Sequence, residues 1–227
     1  MMMSPNAYVE FEVRGMSKEK VLSRIHGLQR NMASMKNQAE SEFEINPSDR
    51  VRCPSLQVRI DVTREYIAET EKYYQEIGGK YEPNALERKA AKFDANMEHI
   101  KAISIRYGGF CGKTEERKLT RDGNGIAVER SCFPYGSEED FNAKFYEGLT
   151  WQDIIEELTN IHMGEWKSSY VAYNVLDGTQ WSVELEYDNG VRAKRFYGSN
   201  KYPYNFEKFL DVMEMAKRFE RGEQWDS

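Results

Sequence analysis

The sequence predicts an α+β fold: antiparallel β-sheets formed by hairpins and a meander, with helices packed on them. Short runs that alternate apolar with polar residues stop at two-residue turn signals, as hairpin strands do. Longer runs repeat apolar residues at steps of three and four, the period of a core-facing helix. The clearest stretch, from Asp177 through Phe206 and on to Phe219, reads as the end of a βββα unit.

At the start, Ala7, Val9, Phe11 and Val13 alternate with Tyr8, Glu10, Glu12 and Arg14, which predicts a half-buried strand ended by Gly15. Ser17 caps a long helix whose Val21, Ile25, Leu28, Met32, Met35 and Ala39 form a stripe. The stripe approaches a coiled-coil seam but spans too few heptads, and Gly27 weakens it by about 1 kcal/mol relative to alanine. A core-facing role is favoured. Asn46-Pro47-Ser48-Asp49 marks a turn and a first linker.

Leu56, Val58, Ile60 and Val62 alternate with Gln57, Arg59 and Asp61, predicting a second strand. Thr63 then caps a helix that carries Ile67, Tyr74 and Ile77 to a Gly78-Gly79 stop. After Pro83 comes a helix with Leu86, Ala90, Phe93 and Met97 on one side, then a strand holding Ile103, Ile105 and Tyr107. Gly108-Gly109 has no following P-loop pattern and reads as a bend rather than a phosphate cradle.

A hairpin follows, Thr114–Arg121 with Gly125–Cys132. Turning on Gly123-Asn124, it sets Cys132 opposite Glu115. Thr150-x-x-Asp153 is a capping box for a helix with Trp151, Ile154, Ile155 and Leu158 on its apolar face. Ser168–Leu176, Thr179–Tyr187 and Val191–Tyr197 read as three antiparallel strands joined at Asp177-Gly178 and Asn189-Gly190. A type I′ turn at Asn189-Gly190 makes Asp188 face Val191, Glu184 face Arg195 and Val183 face Phe196. Asn205 caps a last helix with Phe206, Phe209, Leu210, Met213 and Ala216 as its stripe. The elements group into an N-terminal lobe, 1–135, and a C-terminal lobe, 136–227, or run on as one continuous domain.

At 227 residues, 40% hydrophobic and 13% aromatic, the chain has enough apolar surface to fold without metal or disulfide. No apolar run reaches the roughly 18 residues of a membrane span, and no secretory signal precedes Ser4. The expectation is a cytoplasmic protein without a membrane partner. Cys53, Cys111 and Cys132 are odd in number and widely spaced, as are His26, His99 and His162, so neither a disulfide framework nor a zinc site is expected. The net charge of −6 is uneven: the 137–166 segment alone carries −7, leaving +1 elsewhere. A solvated helix face is the simplest account of these acids.

Several stretches together resemble a family of small proteins carried by mobile elements and prophages of gut Firmicutes. They are Leu56–Tyr66, Leu86-Glu87-Arg88-Lys89, the Gly108-Gly109-Phe110 bend, Leu149-Thr150-Trp151, Gly164-Glu165-Trp166, and above all Asp177-Gly178-Thr179-Gln180-Trp181 with Tyr202-Pro203-Tyr204-Asn205-Phe206. The resemblance covers about residues 55 to 212. It implies a bacterial cytoplasmic setting and an accessory, element-borne role, with no catalytic residues to transfer.

No nucleophile elbow or cysteine-protease signature is present. In Glu184-Leu185-Glu186 an acid stands where a nuclease lysine would be, so no catalytic residue, metal ligand or cofactor site is assigned. The expected function is nonenzymatic binding of a macromolecule, a protein or nucleoprotein partner, as in an anti-CRISPR-like inhibitor of a bacterial defence system. Its acidic surface would comprise Glu138, Glu139, Asp140, Glu147, Asp153, Glu156 and Glu157. The alternative is nucleic-acid binding at the C-terminal hairpin through Arg192, Lys194, Tyr197, Lys201 and Tyr202, where cations and rings interleave. An enzyme whose site assembles only in space is the third reading.

Overall fold

The computed structural model describes residues 3–42, 54–109, 114–133, 146–173, 175 and 178–214. It is an α+β protein, with six helices and a six-stranded, mostly antiparallel sheet among those residues. The chain divides into two compact units, Met1–Asn84 and Ala85–Ser227. The boundary expected near residue 135 does not coincide with this division, because strands on both sides of it belong to one sheet.

The first unit is helical: α1 (Pro5–Glu12), α2 (Lys18–Glu42) and α3 (Leu56–Glu76). Both strands predicted here are helices instead. At α1, Ser4 accepts from the Ala7 N–H at 3.3 Å and Pro5 opens the first turn, a helix start that outweighs local alternation. Tyr8, Val9 and Val13 are buried, whereas Phe11 is exposed.

At α3, Ser55 is the N-cap and accepts from Val58 N–H at 3.3 Å, so Thr63 lies inside the helix rather than at its start. The buried residues Ile60, Thr63, Ile67, Thr70 and Tyr74 repeat at three and four straight through the predicted strand. Alternation over seven residues was an extract of that longer period. The helix ends in a Schellman motif: Gly79 N–H reaches Tyr74 O and Gly78 N–H reaches Gln75 O, with Gly78 at φ 77°.

α2 packs on α3, with Val21, Ile25 and Met35 of its stripe buried. Lys18 at its start donates to Gly78 O at 3.0 Å, beyond the end of α3, so the two helices run antiparallel. Tyr8 of α1 stacks on Tyr66 of α3, centroids 4.2 Å apart.

The second unit begins with α4 (Ala85–Asp94) and a 3-10 turn, Met97–His99. Then come β1 (Ile100–Gly109), β2 (Thr114–Asp122), β3 (Gly125–Phe133), α5 (Trp151–Ile161) and a second 3-10 turn, Met163–Glu165. β4 (Ser169–Val171), β5 (Thr179–Tyr187), β6 (Lys194–Ser199) and α6 (Phe206–Val212) complete it. The sheet order is β3-β2-β1-β5-β6-β4. In the β2–β3 hairpin Cys132 stands opposite Glu115, as the turn predicts. Glu184 faces Arg195 and Val183 faces Phe196 in the β5–β6 pair, also as predicted. α5 starts at the Thr150/Asp153 capping box.

Several local expectations fail. β4 is short and pairs parallel to β6, not antiparallel to β5. The β5–β6 connection is not a type I′ turn: Gly190 has φ 78°, but Asn189 is not left-handed. Its side chain instead accepts from Val191 N–H at 3.2 Å and donates to Asn96 Oδ1 at 3.1 Å, so pairing stops at Leu185 and Lys194. Asn205 makes no cap bond to α6. Gly108 and Gly109 close β1, paired with Gln180 and Thr179, rather than forming a bend. Ala216, Cys53 and Cys111 lie outside the described residues.

One sheet face packs an aromatic core. Trp166, fully buried, meets Phe196, Phe209 and Phe206 with centroids 5.3, 5.6 and 6.0 Å away. Its indole N–H donates to Asn205 Oδ1 at 2.8 Å, while the Asn205 amide donates to Ile161 O. Trp181 lies directly across from Gly198, where any Cβ would fall inside the indole. Asn205→Ala leaves a buried indole N–H and a buried carbonyl unpaired, and should cost about 2–4 kcal/mol in urea unfolding, roughly 1–2 for each orphaned group.

Candidate functional site

Alternation along β6 turns Lys194, Phe196 and Gly198 to the helix-covered face. Lys194 is thus a lysine in a row of core positions. Its ammonium lies 5.0 Å from the Phe196 ring centre, and its stem covers that ring. Burial, and then repulsion from Lys89, pulls the Lys194 pKa below the usual lysine range.

Lys194 lines a cavity of about 250 Å³. One wall is α4 and the residues after it, with Lys89, Lys92, Phe93 and Asn96. The other is the β5–β6 connection with Tyr187, Val191 and Arg192, and Gly164 and Trp166 close the floor. Lys89 donates to Trp166 O at 3.0 Å, which fixes where its ammonium sits. A side chain at Gly164 would press on the Ala90 backbone, with a Cβ 2.9 Å from its carbonyl oxygen, so glycine is what lets this turn meet α4. The widened β5–β6 connection, pinned by Asn189 to Asn96 and by Asp188 to His99 at 3.1 Å, frees Arg192 from strand pairing.

Four cations therefore converge, and no carboxylate lines the cavity. Among the described residues no ion pair engages Lys92, Arg192 or Lys194. Asp94, beside Gly164, is the acid that α4 brings to this side; desolvation, then Glu165, pushes its pKa up. Burial raises the Tyr187 hydroxyl to about 12, so it remains a neutral donor at ordinary pH.

A second inward-facing cation behaves differently. Arg117 of β2, 1% exposed, reaches Met213 O, Glu214 O at 2.8 Å, Glu214 Oε2 at 3.1 Å and Glu115 Oε1. Arg130 Nε also donates to Glu115, at 3.0 Å. Arg117 is consumed in holding the end of α6, where Glu214 is left-handed at φ 55°. Lys194 has no such set.

The structure divides the five residues predicted for nucleic-acid binding. Arg192 and Lys194 come together, joined by Lys89 and Lys92, whose i,i+3 spacing beside Phe93 was the signal for them. Tyr197, 54% exposed, lies on the opposite sheet face with Arg195, which is paired to Glu184 at 2.9 Å. That face also has a broader depression of about 670 Å³ edged by Arg106, Thr114, Phe133 and Gln180. Lys201 is half-buried, and its carbonyl accepts from Trp181 Nε1 at 2.9 Å. Tyr202 does not belong to a binding surface: it is buried, stacked on Trp181 and hydrogen-bonded to Tyr107.

Of the acidic residues, Glu147, Glu156 and Glu157 are exposed. Asp153 is occupied by the cap, where the Thr150 N–H and hydroxyl lower its pKa. Glu138, Glu139 and Asp140 lie outside the described residues. No group of three His, Cys, Asp or Glu among the described residues could hold a metal ion, and no described helix is long and apolar enough to cross a membrane. Comparison with known proteins gives no match to a family model, a curated protein or a solved structure.

Removing the desolvated charge should make the fold slightly more stable. Lys194→Met is expected to raise stability in urea by about 0.5 kcal/mol at neutral pH. The folded-state pKa of Lys194 lies below its unfolded value, so wild type gains stability as pH rises from the first toward the second. The advantage of the variant should shrink over that alkaline interval.

Proposed function

We propose that the protein works by binding rather than catalysis, and that the α4/β6 cavity receives phosphate-bearing nucleic acid. The convergence of Lys89, Lys92, Arg192 and Lys194 without a lining carboxylate carries this reading. Two lysines that repel one another at a partly dry site are relieved by an anion, whereas a structural cation such as Arg117 already has its acceptors. Phe93, half-buried and edge to face at 6.1 Å with the buried Phe196, gives the cavity an aromatic edge against which a base can pack. Single-stranded rather than duplex nucleic acid suits a cavity of this size.

A second reading rests on the exposed Glu147, Glu156 and Glu157. They suit a basic macromolecular partner, and with the element-borne role that the motif resemblance implies they suit an inhibitor of a defence system in the bacterial cytoplasm. The cavity is preferred because its groups converge from three segments, whereas these acids lie along a solvated surface.

Titration with a fluorescent single-stranded oligonucleotide tests the proposal. Arg192→Ala with Lys194→Ala should weaken binding about tenfold or more. The dependence of log K on log salt should flatten by about 0.7 for each phosphate that is no longer neutralised. Unchanged affinity and slope would overturn the proposal.

A further inference from the structure

We infer that this cavity is selective for a terminal phosphomonoester on a single nucleotide, either a chain end or a free mononucleotide, over the internal phosphodiesters of a strand. The inference rests on the nucleic-acid reading above and narrows it.

Size is the first argument. About 250 Å³ lies just under the ~300–1,000 Å³ of pockets that enclose a drug-sized ligand, so one nucleotide-sized group fits and a run of them does not. Charge is the second. Three lysine ammoniums and one guanidinium meet here, whereas a phosphodiester offers a single negative charge. A terminal phosphate carries about −1.5 to −2 and three strong acceptor oxygens. Arg192 can grip two of those oxygens with its planar fork, and the lysines serve as point charges.

The wall supplies the third argument. Tyr187, kept neutral by burial, adds a hydroxyl to the wall rather than a competing anion.

The experiment compares four ligands by anisotropy and competition: one decanucleotide with hydroxyl ends, the same with a 5′-phosphate, the same with a 3′-phosphate, and nucleoside monophosphates. At least one phosphorylated end should bind about tenfold tighter than the hydroxyl-ended strand, reflecting the added charge-assisted bonds. Monophosphates should compete, and Lys89→Ala with Lys92→Ala should abolish the preference. Both lysines are exposed on α4, and an unchanged thermal unfolding curve would confirm that the variant is folded. Equal binding of all strands, still sensitive to Arg192 and Lys194, would overturn end selection and leave nucleic-acid binding standing. Monophosphate binding without oligonucleotide binding would uphold the terminal-phosphate site and overturn the polymer reading. Binding of neither would overturn both.

Discussion

The hydrogen bond from the Trp166 indole to Asn205 is the constraint on which the second unit turns. A buried tryptophan must place one N–H, and a buried carboxamide must place both a donor and an acceptor. Asn205 does both at once, taking the indole proton and giving its own to Ile161 at the end of α5. The end of α5 and the turn after it are thereby fixed at one point to the entry of α6, which is distant in sequence. The aromatic rings around Trp166 supply most of the buried area, but area alone has no direction. The polar contact gives the cluster its single arrangement.

The two inward-facing cations follow opposite logics. Arg117 lies among carbonyls and carboxylates that accept from it, so it reads as a clamp on the end of α6. Lys194 occupies the equivalent kind of position on β6 with a ring below it and another lysine for a neighbour. Burying a charge without a counter-charge is unfavourable, and proteins keep such an arrangement mainly where a ligand completes it. That contrast, rather than the number of basic residues, is what favours the proposed binding role for the Lys194 cavity over a structural one.

Much of this was legible in the sequence, and the exceptions have identifiable physics. Glycine at Gly123 and the short loop after Asp122 fixed the β2–β3 register, and cross-strand charge and apolar matching fixed Glu184 against Arg195. The Thr150 and Asp153 spacing announced α5. The two strands expected in the first unit failed because alternation over a few residues is also compatible with a helix. The decisive signs were Ser4-Pro5 and Ser55, caps placed just before each run. Asn205 was legible as a polar residue at a helix start, but its bonds reach Trp166 and Ile161, contacts made only in the folded chain. Tyr202 looked like a stacking residue for the same reason; its partner is Trp181. The cavity was half visible, since Arg192 and Lys194 stood out among rings, while Lys89 and Lys92, a hundred or so residues earlier, were marked only by their i,i+3 spacing beside Phe93.

The sheet order has a consequence for how this unit comes together. β2 finds β3 across a tight turn, and β1 finds β2 close by along the chain, but β1 also pairs with β5 along nearly its whole length. That second pairing closes a loop containing β2, β3 and α5, so its contacts repay the lost chain entropy only after the loop is shut. Within the plainest stretch of the sequence β5 therefore finds β6 close by, while its other edge must wait for the distant β1.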